Sequence, residues 1–270
     1  MALTYAATGG GLLGIASGHR RLLLELVRRD VRARFAGARF GLLWSLITPA
    51  VQLAAYSLIF GYIYADPARP RGAVTASLFC GLWPWWAFQE AATRGTGALV
   101  EQSSLLRRLP MPVSLPVFAA TIASVMIQML GFALFLAVFA ALGIITPRAG
   151  WLLLPALVLL HLVVTVGLAL VLAPLYLVAR DVMHVVNLAL TVGFFFSPVL
   201  YELDFLPAGL RGIAALNPLA GLLGLFRTLV LGDAWPPLVT VAGLAAMVWL
   251  MWRWGTRLMA RVEGRIDEYC

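Results

Sequence analysis

The sequence predicts an all-α polytopic membrane protein, and three observations carry that reading. The 270-residue chain is 62% hydrophobic and only 12% charged, with a mean hydropathy of +0.92; a soluble domain lies nearer ~45–50% apolar and ~25% charged. The charges fall in clusters and leave six uncharged stretches of about membrane-span length. The basic residues are unevenly shared between the loops that join those stretches. A soluble single domain, a disordered chain and a collagen-like fibre are excluded, because none of them hides this much apolar surface.

Residues 1–270 read as one membrane domain. The opening MALTYAATGGGLLGIASGHRR reads as a poor signal peptide, because its arginines follow the weakly apolar part instead of preceding it. Residues 17–39 then read as an amphipathic helix lying along the membrane surface. At 100° per residue, Leu23, Leu24, Val27, Val31 and Phe35 share an arc of about 120°, while Arg21, Arg28, Arg32 and Arg39 share one of about 40°. Glu25 and Asp30 interrupt the pattern. A basic tail with incidental periodicity is the other reading of this segment.

Six spans follow, at about 40–65, 72–89, 115–146, 150–178, 182–201 and 234–252. A hydrocarbon core of ~30 Å takes ~20 helical residues, which each stretch supplies or nearly supplies. The third uncharged run starts at Leu109, but the three prolines of LPMPVSLP push its helix start to about Leu115. Pro155 and Pro174 shorten or kink the fourth span. Residues 202–233 are broken by Pro207, Gly209, Gly212, Pro218 and Gly232. The pieces Gly212–Ala215 and Leu219–Leu231 are too short to cross, so re-entrant or interfacial helices are expected there. Residues 253–270 form a tail.

The arginines set the orientation. With both termini cytoplasmic, fifteen of the twenty lie inside, and Arg69, Arg71, Arg148, Arg211 and Arg227 lie outside. A net charge of +8 would suggest nucleic acid in a soluble protein. Here it reads as arginines facing the cytoplasm and anionic membrane lipids, with no nucleic-acid partner.

Several chemistries are excluded or weakened. The chain has no lysine, so it holds no GK[ST] phosphate loop, and any ATP chemistry belongs to another protein. Cys80 and Cys270, with the scattered His19, His161 and His184, give no metal-site spacing. His161 and His184 read as neutral, hydrogen-bonded packing residues. The scarcity of ionisable groups in the spans, with no inverted repeat, weakens an ion-coupled carrier. An intramembrane enzyme would need clustered acids, a His/Ser pair or metal ligands, and none stands out. Trp83-Pro84-Trp85-Trp86 reads as an interfacial anchor, with lipid or substrate recognition as the alternative. The small-xxx-small sets Gly10/Gly14/Gly18 and Gly37/Gly41 precede the spans and do not read as dimerisation motifs.

Two stretches, Arg28–Gly61 and Ala179–Gly232, resemble the ABC-2-type permeases of bacterial surface-polysaccharide export. The first carries Arg29-Asp30, then Gly41-Leu42-Leu43-Trp44 and Pro49. The second carries Arg180-Asp181, Ser197-Pro198, Leu216-Asn217-Pro218 and the Phe226-Arg227 pair. Each motif alone is weak; their joint order, spacing and span count are fairly specific and cover nearly the whole chain.

The resemblance implies the membrane subunit of an ATP-driven exporter in the bacterial cell (inner) membrane. A second copy of the chain and two cytoplasmic ATP-binding subunits would complete it, with ATP and magnesium on those subunits and no cofactor on this chain. The implied substrate is a polyprenyl-linked polysaccharide, most of all O-antigen. Capsule, teichoic acid and a small-molecule ABC-2 substrate are the alternatives. A channel lined by spans one and five would run at the dimer interface. Glu101, Arg107 and Arg108 in the loop 101–111 would couple to the ATPase; a plain solvated loop is the other reading. Asn217, Pro218 and Arg227 would belong to an outer gate. Gln52, Tyr56, Phe60 and Tyr64 recur every four residues on span one, and Phe194, Phe195, Phe196 and Tyr201 mark span five. Aromatic rings of this kind stack on sugar faces, or they pack against neighbouring helices.

Overall fold

The structure, a computed structural model, describes residues 18–36, 41–63, 72–108, 111–202 and 216–263, with positions 207, 209, 212 and 214. The regular elements among them are all helical. They are α1 (Arg20–Phe35), α2 (Trp44–Ile63), α3 (Ala73–Glu101), α4 (Ser103–Arg108), α5 (Ser114–Ala141), α6 (Leu154–Val178), α7 (Val182–Phe196), α8 (Pro218–Leu231) and α9 (Leu238–Glu263). Short 3-10 turns at Gly41–Leu43 and Ala149–Leu153 lead into α2 and α6. Among the described residues, four helical stretches are long and apolar enough to cross a membrane: Trp44–Ile63, Ser114–Ala141, Ala149–Val178 and Leu238–Glu263.

The remaining two expected spans differ in kind. α3 runs 29 residues, twelve past the expected end at Gln89, and carries Glu90, Arg94 and Glu101 in its second half. Those charges ended the uncharged run in the sequence, but here Glu90 and Arg94 have partners on other helices, and Glu101 pairs with Arg94. α7 stops after 15 residues at Phe196 instead of Tyr201, a length of about 22 Å. α9 begins four residues later than expected and runs eleven residues past Trp252.

α3 is the central post. Its face from Leu78 to Leu99 is almost wholly covered by α5 and α6, with α2, α7 and α8 around it. Phe79 stacks on Phe132 at 4.7 Å between ring centroids. The Trp83 indole donates to the Gln128 carbonyl oxygen at 2.8 Å. Trp83 and Trp85 are buried, so they are core residues and not the interfacial anchor the sequence suggested, while Trp86 is half-buried; the Trp-Pro-Trp-Trp motif alone does not reveal which of its faces other helices cover. Gly95 allows α3 and α6 to touch, since a Cβ there would lie 2.5 Å from the Ala169 Cβ.

The core has two storeys along the bundle. One gathers the first half of α3, the second half of α5, and parts of α2, α7 and α8. The other gathers the second half of α3, the first half of α5, the ends of α6 and α9, and α1. His161 sits in the first storey, edge-on to Phe88 and Phe226. It is a packing residue as expected, but neither ring nitrogen has a hydrogen-bond partner among the described residues.

Within the expected 17–39 segment, α1 spans Arg20–Phe35, with an inward face different from the expected apolar arc. It buries Leu26, Val27 and Asp30 against the bundle and leaves Leu24 exposed. The face is rotated because Asp30 and Arg34 find ionic partners on α3, which an apolar-arc argument does not weigh. Arg21, Arg28 and Arg32 point outward together; Arg39 lies outside the described residues.

Candidate functional site

α2 and α7 both pack against α3, and the other described residues leave most of their remaining surface uncovered. On α2, only Pro49 and Leu53 are buried, and on α7 only Val186 and Leu190. A cavity of about 840 Å³ opens between them. Its walls are Trp44, Ser45, Thr48 and Gln52 on α2 and Asn187 on α7. Its floor is Trp86, Gln89, Glu90, Thr93 and Arg94 on α3 with Gln128 on α5, and Arg34 and Phe35 of α1 close one end. In a chain this apolar, a groove lined by amides, hydroxyls and two indoles stands out from the surrounding helix surfaces.

Helical spacing builds it. Ser45, Thr48 and Gln52 are three and four residues apart and share a face of α2. Trp86, Gln89/Glu90 and Thr93/Arg94 repeat the same spacing on α3. Pro49 interrupts the backbone bonding of α2 beside this wall.

An ionic network holds the closed end. Arg94 donates to Asp30 at 2.7 Å and pairs with Glu101 at 3.2 Å. Arg34 reaches Glu90 at 2.5 Å, Asp30 at 3.9 Å and the Ser124 hydroxyl at 2.8 Å. Gln128 donates its amide to Glu90, while its own Oε1 has no partner among the described residues. Arg29 donates to Gln102 at 2.7 Å. The Asp30 carboxylate is thus buried in a paired state, as such groups require. The two arginines lining the cavity face two carboxylates, Asp30 and Glu90, so this end carries no excess positive charge.

The expected lining residues divide between two environments. Gln52 lies in the groove wall. Tyr56 and Phe60 are half-buried, pack on the first-storey core and lie 6.3 Å apart between ring centroids. Phe194 packs on Trp85, whereas Phe195 and Phe196 are about 65% exposed. The Tyr201 hydroxyl donates to the Phe195 carbonyl oxygen at 3.2 Å. Tyr64 lies outside the described residues.

Asn217, Pro218 and Arg227 gather where α7 ends. The Asn217 side chain caps α8 by accepting from the Leu219 N–H, and it donates to the Ser197 hydroxyl and the Phe196 carbonyl oxygen. Pro218 occupies the first helical position, where its missing N–H costs nothing. Arg227 is buried and donates to the Val199 carbonyl oxygen at 3.1 Å. Gly81 of α3 leaves the space, since a Cβ there would meet that oxygen at 2.2 Å. Backbone carbonyls freed by the end of a helix at apolar depth need such partners. The third expected group is spread over two elements: Glu101 ends α3, and Arg107 and Arg108 end the six-residue α4, where both are exposed.

Sequence reasoning missed Gln89, Glu90, Gln128, Asn187 and Arg34 as parts of one groove. The signal was present as the 3–4 spacing of polar residues on α3, but counting uncharged residues treats glutamine and asparagine as span filler.

Comparison with known proteins fits this architecture. The family model described as ABC-2 type transporter matches residues 21–231. The chain is 29% identical over 239 residues to the O-antigen export system permease protein RfbA of Myxococcus xanthus, covering 87% of this chain and 90% of the relative. It is 26% identical over 213 residues to the protein of the same name from Klebsiella pneumoniae, covering 77% and 79%. To the polysialic acid transport protein KpsM of Escherichia coli it is 23% identical over 206 residues, covering 76% and 80%. With the family model matching well over half of its length, the chain belongs to the ABC-2 type transporter family.

Proposed function

We propose that this chain is the membrane-spanning subunit of an ATP-driven exporter that moves a lipid-linked surface polysaccharide, O-antigen, across the bacterial cell membrane. The observation that carries the proposal is the groove between α2 and α7. Its amides, hydroxyls and indoles suit hydroxyl-rich rings with apolar faces. Its two walls belong to helices that the other described residues leave largely uncovered. Two copies that bring these surfaces together enclose a conduit, with Gln52, Phe195 and Phe196 facing it and Tyr56 and Phe60 supporting its wall.

In this reading the chain crosses six times. α3 and α7 supply the second and fifth crossings beside the four long apolar helices. α1 lies along the cytoplasmic surface, α8 re-enters from outside, and both termini are cytoplasmic. Asn217, Pro218 and Arg227 fasten the outer end. Glu101, Arg107 and Arg108 meet one of two ATP-binding subunits, which hydrolyse ATP because this lysine-free chain holds no phosphate loop.

Deleting the gene and following the polymer tests the function. Lipid-linked polysaccharide should accumulate on the cytoplasmic face, and the intact gene should return it to the cell surface. Normal surface polymer in the deletion strain would sink the proposal.

A further inference from the structure

We infer that the exposed face of α9 holds an anionic phospholipid headgroup on Trp249, Arg253 and Arg257, with Arg261 extending the same basic ridge. This inference rests on the helix being in a bilayer and not on what the exporter carries.

α9 changes character sharply along its length. Between Leu238 and Leu250 its exposed side chains are all apolar, and then Arg253, Arg257 and Arg261 follow four residues apart, all exposed. Residues at that spacing form one ridge, and each step rises about 6 Å. The buried face of α9 looks the other way: the Trp252 indole donates to the Val163 carbonyl oxygen at 3.0 Å, and Gly255 closes on Leu170. No acidic residue lies on α9 before Glu263.

Two observations place the start of the ridge at headgroup level. Exposed Trp235, three residues before α9, and Trp254 bracket the apolar face, and the sixteen helical steps from Leu238 to Trp254 rise about 24 Å, most of a hydrocarbon core of ~30 Å. The helix contacts give the same depth independently. Gly95 meets Ala169 and Gly167 meets Trp252, so on this register Arg253 lies level with Arg94. Arg94 belongs to the ionic network, which begins one turn earlier at Glu90, level with Trp249.

The site is also preorganised. The Arg253 guanidinium carbon lies 5.3 Å from the Trp249 ring centroid. Stacking on an indole restrains the long side chain and leaves its donors free for a phosphate. A second copy is a poor occupant of this face, because a two-fold contact through it would set one basic ridge against the other. The uncharged groove face of α2 and α7 carries no such penalty.

The test uses the full chain purified in detergent, with bound lipid counted by native mass spectrometry. It is titrated separately with phosphatidylglycerol, phosphatidylcholine and free glycerol 3-phosphate. Phosphatidylglycerol should be retained preferentially, and free glycerol 3-phosphate should not bind. Each arginine near an anionic lipid surface is worth about fivefold, so Arg253→Gln with Arg257→Gln should weaken phosphatidylglycerol binding by at least about tenfold. Phosphatidylcholine binding should stay unchanged. Trp249→Leu, which keeps every charge, should weaken it severalfold. Arg107→Gln with Arg108→Gln makes the same change in net charge elsewhere and should leave it within about twofold. Equal retention of both lipids by the unmodified chain would overturn the inference. So would an equal loss in the two double variants, or tight binding of free glycerol 3-phosphate.

Discussion

Asp30 shows how single residues hold one end of the bundle together. Its buried carboxylate receives Arg94 at 2.7 Å, and Arg34 joins the same cluster. Removing one member of a buried ionic group leaves the others desolvated and unmatched. Asp30→Ala should therefore cost about 2–4 kcal/mol, read as a lower midpoint in thermal unfolding of the purified chain. The exposed Arg28–Glu25 pair at 2.8 Å provides the contrast. Arg28→Ala should change the midpoint by no more than about 0.5 kcal/mol allows, because water already solvates both groups. Equal effects of the two substitutions would contradict the network reading. Gly95 is the apolar counterpart. Gly95→Leu forces a side chain into the α3–α6 crossing and should cost about 1–3 kcal/mol or block folding outright, measured by the yield of monodisperse protein.

At the scale of elements, the aromatic residues of α2 and α7 separate by experiment. Tyr56 and Phe60 pack on the core, so Tyr56→Ala with Phe60→Ala should lower the amount of folded protein together with export. Phe195 and Phe196 are exposed. Phe195→Ala with Phe196→Ala should leave assembly intact and cut export by about tenfold, at ~0.5–1.5 kcal/mol per lost ring contact. If that variant exports normally per folded complex, these rings face lipid and not the conduit. α4 carries a second element-level prediction. Arg107→Glu with Arg108→Glu should separate the chain from its ATP-binding partner or uncouple it, seen as lost co-purification or lost substrate-stimulated ATP hydrolysis.

The elements also show what the sequence made legible. Uncharged runs located α2, α5, α6 and α9 to within a few residues at most ends, because a long apolar helix needs no partner to be recognised. α3 was cut short at Gln89 because Glu90 and Arg94 meet their partners on α1 and, for Glu90, on α5 as well. The period of α1 was visible, but its inward face was not, since the choice turned on Asp30 and Arg34 meeting charges more than fifty residues away. Gln52 was singled out from its stripe. Asn187, Gln89 and Gln128 escaped because they converge only once α2 and α7 flank α3.

For the whole molecule, the proposed topology makes Cys270 a sensitive probe. Cys80 is free and buried, so an aqueous thiol reagent reports on the tail alone. In intact cells a membrane-impermeant reagent should leave the chain unlabelled, and permeabilised cells should label it. Labelling without permeabilisation would reverse the orientation. The central claim is that polysaccharide passes along the groove between α2 and α7, and transport by proteoliposomes tests it most directly. The chain is reconstituted with its ATP-binding partner, and Gln52→Trp with Asn187→Trp fills the groove from both walls. The account predicts ATP-dependent movement of lipid-linked polysaccharide by the unmodified complex. It predicts none by the filled one, which should still assemble and hydrolyse ATP at its basal rate. Undiminished transport through the filled groove would contradict it.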